Sequence, residues 1–314
     1  MKNIIVRSKN IITGGLFGCV INYIFKTLPI FEEENIDKQN IYWDISTIYY
    51  GDIFPNILAY ENMNNYETIK DDENTEILDL IDITLDPPSD AKKYHLGNDF
   101  IELNKLFFKY FTIPQDIMNV LNTYDLTNYL GVHYRGTDKL TDTEMNDPIS
   151  IDEFKIIIDS YIIAHNITHI FLSTDEGEIL NYLKNKHLYV TITTARDLNR
   201  DLFWQTPENY MNNAREAMMD MLCLSKCNTI IKTSSSLSAY AKVINPNINI
   251  YRINASIYIM NDICIEKPYF PDSYIPLLEC NENYSVECNE LLRKKQEQEP
   301  NLLEKYKNCL YVEL

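Results

Sequence analysis

The chain has 314 residues, enough for two domains of ordinary size, and its formal net charge is −18 at pH 7. So acidic a chain is not expected to bind nucleic acid, which requires clustered positive charge. The apolar stretch over residues 11–31 is interrupted by glycines, Asn22 and Lys26. It lacks the clean apolar length of a membrane span and no signal peptide is apparent, so we expect a cytoplasmic protein without a membrane span.

The seven cysteines are odd in number and scattered, a pattern that suits a reducing compartment. Cys223 and Cys227 are one helical turn apart, but no second cysteine pair or histidine cluster lies nearby at metal-ligand spacing. Packing in a core is therefore favoured over a zinc site. A disulfide among the cysteines of the polar C-terminal tail stays open.

Residues 1–126 predict an N-terminal α/β domain. A strand at residues 4–6 or 11–12 leads to a turn at Gly14 and Gly15 and then to a helical pattern over residues 16–28. A glycine turn between a strand and a helix lets a ligand approach the backbone and the helix N-terminus. Taken alone, a plain tight turn is the simpler explanation of the two glycines.

The remainder of this domain has weaker patterns. Residues 41–43 predict a second strand, whereas the acid-rich residues 67–99 predict an irregular segment. Helices are predicted over residues 101–110 and 116–121, the second entered through Pro114.

From residue 127 onward, strand and helix patterns alternate regularly. Such alternation is typical of a doubly wound parallel sheet, and we predict a domain over residues 127–262 followed by a C-terminal extension over residues 263–314. Capping signals at Ser150 with Glu153, and at Asp175 with Glu178, precede two of the helical patterns. The predicted strands are residues 129–132, 170–172, 188–192, 229–231 and 248–251.

Polar and charged groups recur where these strands end. The carboxyl ends of parallel strands meet at one edge of a sheet, where open α/β folds bind ligands. A hydroxyl-rich turn at a helix N-terminus supplies O–H and N–H donors to an anion, and an arginine adds a charge-assisted contact. The groups form a candidate diphosphate site: His133, Arg135, Asp138 and Lys139 after the first strand, Asp175 after the second, and Thr233, Ser234, Ser235 and Ser236 after the fourth.

Two plainer explanations apply to parts of this set. The serines could simply cap a helix, and Arg135 with Asp138 could form a structural ion pair. The recurrence of such groups at several strand ends favours a site.

Four blocks in the second half of the chain resemble the GDP-fucose fucosyltransferases, especially the α-1,6 type and the bacterial nodulation enzymes. The pattern His-x-Arg-x-x-Asp-Lys over residues 133–139 resembles their first signature. Residues 171–176 resemble the second, a strand ending in Thr-Asp followed by an acid. Residues 217–227 resemble the third, a helix that carries Asp220, and residues 233–236 resemble the closing Thr/Ser turn. The turn at Gly14 and Gly15 also matches the glycine turn that opens their N-terminal domain.

This resemblance implies an α/β glycosyltransferase of the B type (GT-B), with two Rossmann-like domains facing a cleft. The C-terminal domain would hold the nucleotide sugar, and the N-terminal domain would lie on the side of a glycan or glycoprotein acceptor. It further implies inversion at the sugar carbon, with no divalent metal ion and no cofactor beyond the GDP-sugar co-substrate. Carried over by position, Arg135 would bind the β-phosphate and stabilise the departing GDP, and Ser235 or Ser236 would bind phosphate. Asp175 and Asp220 would anchor ribose or guanine, and His133 would support the loop or contact the nucleotide. Asp138 and Lys139 would keep the pocket in shape.

Gly136 departs from the pattern, because the α-1,6 enzymes often have a second arginine at this position. The general base of the family is a glutamate shortly after the Asp-Lys pair, where this chain has Asp142 and Glu144. We favour Glu144, with Asp142 next, since a carboxylate can take the proton of an acceptor hydroxyl. Both could instead be solvated loop acids. The two also mimic a metal-binding acidic pair, but the arginine and serine groups already answer the diphosphate charge.

The sequence therefore favours an inverting, metal-independent transferase that moves fucose from GDP-fucose to a glycan or protein acceptor. One alternative is a catalytically inactive GDP-sugar- or glycan-binding protein with the same fold, which would bind GDP without releasing it from a GDP-sugar. Another is an unrelated phosphate-binding α/β enzyme, which would show no preference for guanine.

Overall fold

A computed structural model of the chain describes residues 2–7, 17, 28, 31–44, 66–79, 100–136, 149–196, 198, 207–233 and 235–253. The chain divides into two compact units, Met1–Tyr124 with Phe203–Met219, and Asp125–Leu202 with Asp220–Leu314. The domain limits that the sequence predicts stay a prediction. The predicted C-terminal extension over residues 263–314 and the predicted turn at Gly14 and Gly15 lie outside the described residues.

The first unit contains a parallel sheet in the order β2-β1-β3, formed by β1 (Asn3–Arg7), β2 (Ile41–Asp44) and β3 (Thr75–Asp79). Its central strand is apolar and buried at Ile4, Ile5 and Val6. The strand β3 lies within the segment that the sequence predicts to be irregular. That prediction was wrong because an edge strand here keeps acidic and half-exposed side chains, so its pattern is not apolar.

Two helices, α1 (Phe100–Tyr110) and α2 (Gln115–Leu121), follow in this unit, as the sequence predicts. The helix α1 buries an apolar face that includes Leu103 and Phe107. Phe107 continues into an aromatic cluster with Phe111, whose ring also neighbours Trp43 of β2. This burial of aromatic surface gives the first unit its core.

The second unit contains a parallel sheet in the order β6-β5-β4-β7-β8. Its strands are β4 (Leu130–Tyr134), β5 (His169–Thr174), β6 (Thr191–Thr193), β7 (Thr229–Lys232) and β8 (Asn249–Arg252). The chain order runs outward from β4 to β5 and β6 on one side and from β7 to β8 on the other. The adjacent strands β4 and β7 therefore form the topological switch point, where α/β sheets of this kind bind ligands.

Helices cover both faces of this sheet. On one face, Leu130 and Val132 join a buried cluster with Phe154 and Ile157 of α3 (Ile151–Ala164) and with Ile179 of α4 (Gly177–Lys186). On the other face lie the C-terminal part of α5 (Pro207–Ser225) and α6 (Ser236–Ile244).

Gly131 lies where α5 approaches β4. A Cβ at this position would lie 3.0 Å from Cγ1 of Ile230 and 3.1 Å from Cδ2 of Leu224. The absence of a side chain thus permits the close packing of helix and strand.

The predicted α/β class with a doubly wound parallel sheet is confirmed, and the capping box of Ser150 and Glu153 is present. The arrangement of two Rossmann-like domains facing a cleft stays a prediction. The third strand of the second sheet begins three residues later than predicted, because Leu188 and Tyr189 lie in the turn after α4 and are 85% and 59% exposed. Among the described residues, no helix is long and apolar enough to cross a membrane.

Candidate functional site

The carboxyl edge of the second sheet brings basic and polar side chains into one row. Ser173 pairs with His133, His133 with Lys232, and Lys232 with Arg252, across β5, β4, β7 and β8. Paired residues of parallel strands point to the same face of a sheet. All four are buried, and Lys232 is 0% exposed. Positive charge is therefore concentrated at this edge of a protein that is acidic as a whole.

Arg135 follows β4 and contacts two of the other predicted residues. Its main-chain N–H donates to Oγ1 of Thr233 at 2.9 Å. Its guanidinium Nη1 lies 3.0 Å from Oδ2 of Asp175. The side chain of Arg135 is 27% exposed whereas that of Asp175 is 2% exposed. A buried carboxylate thus holds a guanidinium that solvent, and hence a ligand, can reach.

Asp175 has a second contact, with the backbone. Its Oδ1 accepts a hydrogen bond from the N–H of Gly136 at 2.9 Å. The predicted role of Asp175 as the cap of α4 was wrong, because the carboxylate is used by Arg135 and Gly136. The residue at the N-cap position is Glu176, which makes no side-chain capping hydrogen bond.

Gly136 provides space that Glu176 fills. A Cβ at position 136 would lie 2.6 Å from both Cγ and Oε1 of Glu176, and 2.9 Å from Cε1 of Tyr134. Such distances are shorter than real carbon contacts, so any side chain at this position requires both Glu176 and the ring of Tyr134 to move. The missing side chain of Gly136 and the placement of Glu176 are therefore linked.

Asp220 of α5 forms a buried ion pair with Arg196, which lies three residues after the end of β6. The same oxygen, Oδ2, accepts a hydrogen bond from Oγ of Ser173 at 2.9 Å. Asp220 is 0% exposed, and this burial raises the pKa of its carboxyl although Arg196 and Ser173 oppose the shift. Both charges of the pair thus lie within the protein, beside the row of strand ends.

Arg196 is not among the residues predicted from the sequence. It follows a strand, as Arg135 does, so the same rule applied to the end of the predicted third strand would have found it. Lys232 and Arg252 were also missed, although each directly follows the residues predicted to form a strand.

The hydroxyl turn leads into α6. Ser235 is the N-cap of this helix and makes no side-chain capping hydrogen bond, so the plain capping explanation does not account for its hydroxyl. Ser236 is the first residue of the helix and is 3% exposed. Its Oγ has no hydrogen-bond partner among the described residues. Together with the unpaired N–H groups of a helix N-terminus, this arrangement suits an anion.

His133 connects β4 to the same helix. Its Nδ1 lies 2.6 Å from Oγ of Ser238 in the first turn of α6. Burial, and then the charges of Lys232, Arg135 and Arg196, lower the pKa of His133 well below its usual value. The imidazole is thus neutral at pH 7 and serves as a fixed link between strand and helix.

The structure brings seven predicted residues to this edge, namely His133, Arg135, Asp175, Asp220, Thr233, Ser235 and Ser236. Seven others lie outside the described residues, namely Gly14, Gly15, Asp138, Lys139, Asp142, Glu144 and Ser234.

Cys223 of α5 and Cys227, two residues after the end of this helix, are both buried, and Sγ of Cys227 lies 3.6 Å from the carbonyl oxygen of Cys223. Burial raises the pKa of Cys223 to about 12 and that of Cys227 further. These two side chains pack in a core, as the sequence analysis favoured.

The fold and the site define an α/β protein of parallel sheets, with basic side chains and hydroxyl groups at the carboxyl edge of the second sheet. No family profile and no curated protein matches the chain. Among solved structures, it is similar to the α-1,6-fucosyltransferase NodZ soaked with GDP-fucose, at 13% identity and a TM-score of 0.46, over 81% of this chain and 95% of that one. Another NodZ structure is from Bradyrhizobium.

Two further similar structures contain GDP. One is a mutant of FUT1 from Arabidopsis thaliana in complex with GDP, at 10% identity and a TM-score of 0.46, over 87% of this chain and 73% of that one. The other is POFUT1 in complex with GDP, at 8% identity and a TM-score of 0.43, over 80% and 98%. These structures are of fucosyltransferases, the group that the four sequence blocks resemble.

Proposed function

We propose that this protein is an inverting glycosyltransferase that moves a sugar, fucose in the first instance, from a GDP-sugar to a hydroxyl group of a glycan or protein acceptor. The four sequence blocks support the proposal because the residues of three of them meet at one edge of the second sheet. Arg135 comes from the first block, Asp175 from the second and Thr233 from the fourth, and they are joined by direct contacts.

The single observation that carries the proposal is the hydrogen bond from the N–H of Arg135 to Oγ1 of Thr233. It joins the end of β4 to the end of β7 at the topological switch point. The guanidinium of Arg135 and the N-terminus of α6, with Ser235 and Ser236, are thereby placed at the same edge. A diphosphate bound here would receive charge-assisted hydrogen bonds from one side and O–H and N–H donors from the other.

In the proposed reaction, an acceptor oxygen attacks the anomeric carbon on the face opposite the diphosphate. The new carbon–oxygen bond forms as the bond to the β-phosphate oxygen breaks, and GDP leaves with the electron pair. Arg135 stabilises the negative charge that develops on the departing GDP. The acceptor proton passes to a carboxylate, for which Glu144 and then Asp142 are the candidates.

Other side chains support this chemistry. Asp175 orients the guanidinium of Arg135, and Asp220 orients that of Arg196. Because both carboxylates are held by protein partners in this structure, we assign them a supporting role in place of direct contact with ribose or guanine. Lys232 and Arg252 add positive charge at the same edge. We propose that these cations and the donors at the N-terminus of α6 bind the diphosphate without a divalent ion.

Asp138 and Lys139 would shape the pocket from the segment that follows Arg135, and Gly14 and Gly15 would open the acceptor-side domain.

The experiment is a thermal-shift panel of GDP, UDP, ADP, GDP-fucose and GDP-mannose, each with EDTA and with Mg²⁺. A ligand that binds only the native state raises the melting temperature by mass action. We expect a guanine-selective rise that EDTA does not reduce. Equal shifts with UDP and ADP would overturn the GDP-sugar assignment, and a rise that requires Mg²⁺ would overturn metal independence.

A second measurement tests turnover. Incubation with GDP-fucose and a panel of glycan and protein acceptors should release GDP, and the anomeric configuration of the product, read by NMR, should be opposite to that of the donor. GDP binding without release from any GDP-sugar would favour the catalytically inactive binding protein instead.

A further inference from the structure

The side chain of Glu176 occupies the space beside the backbone of Gly136. Its Cγ and Oε1 lie 2.6 Å from the point where a Cβ of residue 136 would be. Glu176 is half-buried at the N-cap of α4, where its own N–H donates to Oγ1 of Thr174 at 3.0 Å. A carboxylate is thus held against the residue that immediately follows Arg135.

The two sides of Arg135 differ in charge. Toward β7 and α6, its N–H contacts Thr233, and the hydroxyl groups of Ser235 and Ser236 follow. Toward β5 and α4, its guanidinium contacts Asp175, and the side chain of Glu176 lies beside the backbone of Gly136. Donors therefore lie on one side of the arginine and carboxylates on the other.

This asymmetry orients a ligand that has an anionic part and a neutral part. Phosphate oxygens are stabilised by the donors of α6 and repelled by Glu176. Hydroxyl groups, in contrast, can donate hydrogen bonds to a carboxylate, and such charge-assisted bonds are stronger than neutral ones. The part of the ligand that meets Glu176 is then uncharged and rich in hydroxyl groups.

We propose that Glu176 is a specificity-determining residue, which accepts hydrogen bonds from the hydroxyl groups of a neutral sugar and rejects a sugar that carries its own carboxylate. The inference rests on the proposed function, because it takes the ligand to be a GDP-sugar. Gly136 contributes to the same specificity, because a side chain at this position would displace Glu176.

A matched pair of ligands tests the charge preference. GDP-mannose and GDP-mannuronate share the base, the diphosphate and the ring, and differ in a carboxylate at C6. By calorimetry at pH 7, the wild-type protein should bind GDP-mannuronate at least about tenfold more weakly than GDP-mannose, since juxtaposed like charges are costly. In Glu176→Gln, which keeps the shape and removes the charge, the ratio should fall to about twofold or less.

GDP alone and one control variant complete the design. Glu176→Gln should bind GDP within about twofold of wild type, because the phosphates lie on the other side of Arg135. Glu178→Gln, two residues along α4, removes an exposed carboxylate that pairs with Lys155 and should leave every affinity unchanged. An unchanged ratio in Glu176→Gln, or a loss of GDP affinity as large as that of GDP-mannose, would overturn the inference.

Failure of the proposed function has a different outcome. If wild type binds none of the three ligands, the proposed function fails, and this inference with it; if it binds all three equally, the inference alone fails.

The steric relationship between Gly136 and Glu176 has its own test by thermal melting. Gly136→Ala should lower the melting temperature, and the second substitution in Gly136→Ala/Glu176→Ala should restore part of the loss, because the buried ring of Tyr134 still lies against the new Cβ. An equal loss in both variants would show that Glu176 does not fill this space.

Discussion

Asp175 holds Arg135 in place through both of its carboxylate oxygens, one 3.0 Å from the guanidinium and the other accepting the N–H of the next residue, Gly136, at 2.9 Å. The carboxylate is almost fully buried, while the guanidinium remains partly exposed. The arginine is therefore oriented before any ligand arrives. An oriented charge that needs no rearrangement during the reaction is the most effective stabiliser of a leaving group.

Replacing this arginine tests the proposed mechanism. Arg135→Ala should lower kcat/KM for GDP release by about 10²–10³-fold, because removal of one stabiliser of developing charge typically costs about 2.7–4 kcal/mol in the transition state. Arg135→Lys should recover only part of the loss, since an ammonium does not reproduce the planar guanidinium. Steady-state kinetics of GDP release measure both effects.

Two controls separate chemistry from folding. Arg215→Ala removes an arginine that pairs with Asp116 on the surface of the first unit, and wild-type kcat/KM is expected. Arg135→Ala leaves Asp175 buried without its cation, which is destabilising, so Arg135→Ala/Asp175→Asn should regain melting temperature but not turnover. Wild-type turnover in Arg135→Ala would contradict the assignment.

The meeting of Arg135, Asp175 and Thr233 could be predicted from sequence because each follows an apolar run that ends abruptly. In a parallel sheet, strand ends share one edge whatever the strand order. The contact between Arg135 and Asp175 could not be predicted, since it requires β4 and β5 to be neighbours. The capping pattern at Asp175 even favoured a different partner, and the nearby guanidinium outcompeted the helix N–H groups.

Arg196 shows a second limit. It follows the third strand, and an apolar run that includes Leu188 and Tyr189 moved the predicted start of this strand three residues too early. An apolar side chain in a turn has the same pattern as one in a strand when only the sequence is known, because burial depends on what packs against it. The ion pair with Asp220 also joins residues that are distant in the chain, which no local pattern encodes.

Removing one charge of the buried pair of Asp220 and Arg196 should destabilise the protein more than removing both charges. Asp220→Asn leaves the guanidinium of Arg196 largely buried without its counter-charge, so the free energy of unfolding should fall by about 3–5 kcal/mol. The double variant Asp220→Leu/Arg196→Met removes both charges and should recover most of that loss. Urea denaturation at pH 7 measures each variant, and a double variant no more stable than Asp220→Asn would contradict this account.

Asp159 joins α3 to the end of α4. It accepts hydrogen bonds from Tyr182 and Lys186, and its Oδ1 lies 2.6 Å from Nε2 of His187. Burial raises the pKa of Asp159, but hydrogen bonds from Lys186, Tyr182 and His187 more than offset burial, so the pKa lies below its usual value. A carboxyl with a depressed folded-state pKa stabilises the protein above its unfolded pKa of about 3.9, and that stabilisation is lost as pH falls through the folded value.

Asp159→Asn should therefore lower the free energy of unfolding at pH 7 by about 1–3 kcal/mol, the usual contribution of hydrogen bonds to a charged group. The difference from wild type should shrink as the pH is lowered from 4 toward 2. The matched control is Asp152→Asn on the same helix, whose carboxylate is 84% exposed and pairs with Lys155; a loss under about 1 kcal/mol is expected. Equal losses in both variants would exclude a special role for Asp159.

His133 should give the protein a pH-dependent stability on the acidic side of neutrality. Its pKa lies well below 6.5 in the folded state because of burial and the nearby charges of Lys232, Arg135 and Arg196. Below about pH 6.5 the unfolded chain binds a proton at this residue and the folded protein does not. The free energy of unfolding should thus fall by up to about 1.4 kcal/mol for each pH unit below 6.5, until the folded-state pKa is reached.

Urea denaturation between pH 7.5 and pH 5 tests this directly. His133→Gln should be less stable at pH 7 but should lose the part of the slope that His133 contributes, because glutamine does not titrate. Ser238→Ala is the matched control, since it removes the hydrogen-bond partner 2.6 Å from Nδ1 and leaves the burial and the surrounding cations in place. It should lower stability while keeping the wild-type slope. A slope that persists unchanged in His133→Gln would assign the titration to another group and remove the basis for a neutral His133 at the site.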